Sequence, residues 1–285
     1  LYSYARIAER TELTFGGSYD DFKNDSFARQ QFNPKVGLSV ALPAGVTLRA
    51  ATFRTLTRPL LAGQTIEPTQ VSGFNQFFDD PEGTRAWRYG VGIDVHIGDS
   101  LFVGAESAYR DLSIPLPEAS TGRIINQKHY ETTLRGYVNW LMNDRIALGI
   151  EYLEDKYSHN IAVSEGDFRD YSTREITPSL GFQHPSGVSA RVLPRYVCQN
   201  GQFDNGSFLN PFSEKFAGSQ GFIVADIEFS YRLPRRRGKI ALGFQNVLDK
   251  RFRFQETLPS QTSELVAPRI ARERQVVAQI NLVIP

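Results

Sequence analysis

Trp87-Arg-Tyr-Gly-Val-Gly-Ile-Asp-Val-His-Ile97 decides how this chain folds. Trp87, Tyr89, Val91, Ile93, Val95 and Ile97 are apolar or aromatic, while Arg88, Gly90, Gly92, Asp94 and His96 fill the alternate positions. A period of two means a β-strand with one apolar and one polar face. Soluble strands usually end after about five or six residues, whereas about nine to eleven tilted residues are needed to cross a bilayer. The eleven residues quoted belong to the longer class. The pattern returns in Ile223-Ala225-Ile227-Phe229-Tyr231-Leu233 against Val224, Asp226, Glu228, Ser230 and Arg232. It returns again in Val276, Ala278, Ile280, Leu282 and Ile284 against Gln275, Gln279 and Asn281, and in Leu134, Val138, Trp140 and Met142 against Glu131, Thr133, Arg135 and Asn139.

Between such stretches the connections alternate, short then long. Tight turns stand at Leu42-Pro-Ala-Gly45, Ile97-Gly-Asp-Ser100, Met142-Asn-Asp-Arg145, His184-Pro-Ser-Gly187 and Pro234-Arg-Arg-Arg-Gly238. The other connections are polar loops of roughly ten to twenty-five residues. Tight turns at one end and long loops at the other describe the meander of a bacterial outer-membrane barrel. The reading is all-β, an antiparallel transmembrane β-barrel, with thirteen strands at about 1–6, 11–20, 31–42, 46–57, 84–97, 101–112, 128–141, 146–157, 171–184, 188–199, 221–233, 239–255 and 268–284. Bacterial barrels close on an even strand number. Residues 1–285 are therefore expected to form a single barrel region that is incomplete at its N-terminus, with a further strand and a removed signal segment upstream and without a plug domain.

The net charge of +1 gives no global field that would favour nucleic acid, and no run approaches the apolar length of a membrane helix. Twenty Phe, twelve Tyr and two Trp are enough for an interfacial girdle, for which the outward positions Trp87, Tyr89, Tyr109, Tyr130, Trp140 and Tyr231 are candidates. Cys198 is the sole cysteine, so no disulfide forms within the chain. His96, His129, His159 and His184 lack a spacing that would converge on a metal, and no Ser/His/Asp set can be assembled. The expectation is a protein that is not an enzyme and needs no metal or cofactor.

Three stretches resemble TonB-dependent outer-membrane receptors. They are Phe32-Asn-Pro-Lys-Val-Gly-Leu-Ser-Val-Ala-Leu-Pro-Ala-Gly-Val-Thr-Leu-Arg-Ala50, the opening Leu1-Tyr-Ser-Tyr4 with Leu13-Thr-Phe-Gly-Gly-Ser-Tyr-Asp20, and Gly243-Phe-Gln-Asn-Val-Leu-Asp-Lys-Arg-Phe252 around an Asn246-Val247-Leu248-Asp249 core. The resemblance implies the C-terminal barrel portion of a receptor that takes up a scarce solute such as an iron chelate. Its partners would be outer-membrane lipid and, through an N-terminal region, a TonB-type coupling protein. The alternative is a passive or polysaccharide-export porin barrel fused to a periplasmic helical-repeat domain, passing a polymer.

Strand parity places Arg88, Asp94, Glu106, Arg110, Glu131, Arg135, Glu151, Arg191, Arg195, Asp226, Glu228 and Arg232 on the polar face as lumen-lining candidates. So many charges call for a wet interior. Two long loops mix aromatics with amides and are candidates for ligand contact: Phe74, Asn75, Phe77 and Phe78 in one, Phe203, Asn205, Phe208 and Phe212 in the other.

Overall fold

A computed structural model describes residues 1–23, 28–58, 70–76, 80–117, 123–159, 170–204, 215–254, 269–270 and 273–282. Thirteen strands form one antiparallel sheet: β1 (Tyr2–Ala8), β2 (Thr11–Lys23), β3 (Ala28–Leu42), β4 (Val46–Leu56), β7 (Arg85–Ile97), β8 (Leu101–Pro117), β9 (Ile124–Leu141), β10 (Ile146–His159), β11 (Asp170–Gln183), β12 (Val188–Asp204), β13 (Lys215–Arg232), β14 (Gly238–Gln245) and β17 (Gln275–Leu282). Each pairs with its sequence neighbour in this order, as a meander requires. Two short ribbons, β5 (Gln70–Val71) with β6 (Phe74–Asn75) and β15 (Arg253–Phe254) with β16 (Arg269–Ile270), lie in the long connections. The tight turns behave as read: Pro43–Gly45 and Pro234–Arg236 are single 3-10 turns in which Ala44 and Arg235 take φ of 62° and 57°.

Strand lengths depart from expectation on the long-loop side. β8, β9, β12 and β13 run for 17 or 18 residues because pairing continues outward to Pro117 opposite Ile124 and Asp204 opposite Lys215. The strand expected over 239–255 stops at Gln245. Asn246 and Asp249 adopt φ of 48° and 51°, and the Asn246 amide clasps Lys250, accepting from its N–H at 3.0 Å and donating to its carbonyl at 2.9 Å. The Asn246 N–H donates to the Asp226 carboxylate at 2.8 Å, tying this turn to β13. The Asn-Val-Leu-Asp core that carries the family resemblance is thus a turn. The last strand expected over 268–284 joins the sheet only from Gln275.

Register fixes two chemically opposite faces. Lys35, Phe53, Arg88, Arg110, Glu131 and Tyr157 lie directly across from one another in one row through β3, β4, β7, β8, β9 and β10. Their neighbours in sequence face the other way. There Val36, Leu38, Leu48, Tyr89, Val91, Ile93, Leu134, Val138, Ile223, Phe229, Ile240, Leu242, Val276 and Ile280 stand exposed, with no second layer among the described residues over them. An apolar face of this extent needs a cover, and hydrocarbon supplies it without any backbone partner.

Parity can be checked at adjacent residues of β13. Ile227→Arg puts a cation on the apolar face and should cost about 2–4 kcal/mol if it lies near the bilayer midplane. Glu228→Arg loses one exposed contact to Lys239 at 3.0 Å and should be far milder. Urea titration of the protein refolded in lipid vesicles measures both, and equal losses would remove the face assignment.

Candidate functional site

The described residues of the connection from β4 to β7 stay against the sheet. Thr57 and Thr84 close its neck, the Thr57 N–H donating to the Thr84 carbonyl at 2.9 Å and the Gly83 N–H to the Thr57 carbonyl at 2.7 Å. Beyond that neck, β5 and β6 form a hairpin whose two loop residues, Ser72 and Gly73, take φ of 46° and 86°. Positive φ at both positions suits the right-handed twist of a two-residue hairpin loop.

This hairpin packs on the polar face of the sheet. Val71 and Phe74 are 0% and 2% exposed, in one cluster with Ala51 and Phe53 of β4 and Ala108 of β8. Gly90 makes the fit possible, since a Cβ there would stand 2.5 Å from the Phe74 ring. Polar ties hold the flanks. The Lys35 ammonium donates to the Gln76 side chain, whose amide donates to the Tyr2 hydroxyl at 3.3 Å. Arg110 bridges Asp80 and Glu131, at 2.5 Å each.

Beside the hairpin lies a polar cavity of about 610 Å³, lined by Arg49, Gln70, Gly73, Asn75, Asp94, Phe102, Glu106, Arg135, Tyr137 and Asn139. Arg49 organises it, with Nε donating to Asp94 at 2.7 Å and an Nη donating to Glu106 at 3.2 Å. Tyr137 donates its hydroxyl to the second Asp94 oxygen at 2.7 Å. Arg135 donates to Glu151 at 2.7 Å and lies 4.0 Å from Glu106. Gln70 and Asn75 are hydrogen-bonded across the hairpin at 2.9 Å and present amide groups to the cavity. This wall offers donors and acceptors while its charges already neutralise one another.

The structure divides the sequence-selected residues into groups. Asp94, Glu106, Arg135 and Glu151 join the Arg49 network, Arg110 and Glu131 tie the loop down, and Arg88 lies across from Arg110. Arg191, Arg195, Asp226, Glu228 and Arg232 lie on the same face of β12 and β13, separate from that network. Of these, Asp226 holds the Asn246 turn and Glu228 meets Lys239. Phe74, selected as a ligand contact, is instead a buried anchor of the hairpin, whereas Asn75 is exposed beside the cavity. Phe77, Phe78, Asn205, Phe208 and Phe212 lie outside the described residues, and for Phe203 the description covers backbone alone. Sequence reading missed Arg49, Lys35, Asp80 and Tyr137. Arg49 alternates with Leu48 and Ala50, which was a usable signal, but Ala51 and Phe53 blur the parity of β4.

The FrpB iron transporter of Neisseria meningitidis superposes with a TM-score of 0.65 at 14% identity, over 97% of this chain and 43% of that one. The fold is that of an outer-membrane β-barrel. The ferric-catecholate import receptor Fiu of E. coli K12 aligns at TM-score 0.57 and 13% identity, over 99% of this chain and 43% of its own. The ferric enterobactin receptor PfeA of Pseudomonas aeruginosa aligns at 0.56 and 17% identity, over 98% and 43%. This chain thus spans less than half the length of these structures. No family model and no curated protein matches it. At the level of fold, the resemblance to TonB-dependent receptors holds along the chain.

Docking of the hairpin can be read by thiol labelling in a Cys198→Ser background. Val71→Cys should resist a membrane-impermeant maleimide, and adding Gly90→Leu should raise its labelling rate at least about tenfold by displacing Phe74. Fast labelling of Val71→Cys without the second change would mean that the hairpin does not rest on the sheet.

Proposed function

We propose that this chain is the C-terminal barrel portion of an outer-membrane receptor that takes up a scarce polar solute, with ferric chelates the first class to test. The observation that carries this reading is the cavity beside the inward hairpin, where Arg49 is held between Asp94 and Glu106. A solute path must bind well enough to admit its cargo and weakly enough to release it. Charges paired with one another and surrounded by amides and a phenol meet both demands. The described loop narrows the polar side of the sheet, so passage depends on how a solute fits the remaining space. The aligned transporters and receptors carry iron and ferric chelates by name. Energy for uptake would come from a TonB-type partner acting through the rest of the protein.

Deleting the gene should lower uptake of labelled iron from a ferric catecholate, and removing the inner-membrane coupling system should abolish the same fraction. Uptake that survives loss of coupling would favour the passive or export barrel. Arg49→Gln should slow uptake several-fold with chelate binding at the cell surface unchanged, because it takes the guanidinium away from Asp94 and Glu106 along the path. Unchanged uptake in that variant would remove the cavity from the route.

A further inference from the structure

The apolar face carries a cationic patch that nothing above explains. Arg54 lies directly across from Trp87, and Arg85 lies across from Leu56 and Ser113, so both arginines share the outward face with the aromatic residues. Trp87, Tyr89, Tyr109 and Tyr130 form a continuous stack there, with ring centroids 6.1, 6.3 and 6.3 Å apart. Such a belt marks a bilayer interface. Arg85 and Lys128 lie on its long-loop side, and Arg54 spreads over the Trp87 ring at 5.7 Å.

These guanidinium groups are short of partners. The Nε atoms of Arg54 and Arg85 are shielded from solvent without a hydrogen-bond acceptor, and among the described residues neither arginine makes an ion pair. Lys128 is paired with Asp111 at 3.0 Å, which leaves the group with net positive charge. Clustered arginines at an interface lack one component, an anion with several acceptor oxygens.

Directly below the arginines, toward the bilayer, the same face opens into an apolar groove of about 470 Å³. Leu38, Tyr89 and Tyr109 wall it, and the small side chains of Ala50, Thr52 and Ser107 form its floor. Thr52 is two residues from Arg54 on β4 and opposite Tyr89, so groove and cations are continuous. We propose that Arg54, Arg85 and this groove form a binding site for one phosphorylated, acylated lipid of the outer leaflet, with a phosphate at the arginines and an acyl chain along the groove. A free anion would leave the groove unused, and a purely apolar chain would leave the arginines without a counter-charge. This site is independent of the transport reading, because it lies on the opposite face of the sheet.

The test uses the full-length protein in detergent, with diphosphorylated lipid A as probe and native mass spectrometry as readout. Wild type should retain one lipid A, the same lipid without phosphates should be retained about tenfold less, and millimolar inorganic phosphate should not displace it. Arg54→Gln with Arg85→Gln should cost about tenfold in retention, and Ala50→Leu with Ser107→Leu, which fills the groove and keeps the charges, should cost a similar factor. Heat-modified gel migration confirms that each variant is folded. Equal retention of the phosphate-free lipid, displacement by inorganic phosphate, or full retention by both folded double variants would each overturn the site.

Discussion

Within hydrocarbon a backbone amide has no water to turn to, so each N–H and C=O of a spanning segment must be satisfied by the protein itself. For the strands between its two edges the antiparallel meander meets that demand by pairing each with the next of the thirteen, from β1 to β17. Everything else in the molecule follows from this ladder. Side chains alternate strictly across it, so one face meets lipid and the other meets water. A register slip of one residue would exchange the two faces completely.

The wet face then has two problems of its own. Charged side chains there are neutralised across strands, as with Arg49 between Asp94 and Glu106 and Arg135 beside Glu151. Pairs of this exposure contribute at most about 1 kcal/mol each, so their importance lies in where they hold donors and acceptors. The second problem is the apolar patch of Ala51, Phe53 and Ala108 on a face that should be polar. The β5–β6 hairpin covers it. Burying Val71 and Phe74 stabilises the docked loop by about 1.5–3 kcal/mol each, more than its polar ties supply, while Lys35–Gln76 and Arg110–Asp80 set its position.

The sheet was legible because a period of two survives in most strands and the tight turns punctuate it. Trp87 to Ile97 states its own pairing faces, and its neighbours repeat the rule. The polar network was half legible: Asp94, Glu106 and Arg135 stand out by parity, whereas the parity of Arg49 is blurred by Ala51 and Phe53, and the register that sets it opposite Gly92 is what brings it within reach of both carboxylates. The inward hairpin was not legible. Gln70 to Gln76 reads as a polar loop with aromatics and amides free for a ligand, and its docking depends on a match between Phe74 and the space left at Gly90 that no local pattern encodes. The same holds at Asn246, whose strand-like surroundings conceal a side chain that closes a turn on Lys250.

Arg49 and Arg54 show how far parity governs chemistry in such a sheet. They lie on the same strand, five residues apart, an odd separation that sends them to opposite faces. Arg49 meets two carboxylates and a cavity, and its charge is satisfied by the protein. Arg54 meets an aromatic ring and an apolar groove, and among the described residues it makes no ion pair. A guanidinium carries the same hydrogen-bonding fork in both places. What differs is the surroundings of each face: the inward guanidinium is held between two carboxylates beside a polar cavity, and the outward one lies over an aromatic ring beside an apolar groove.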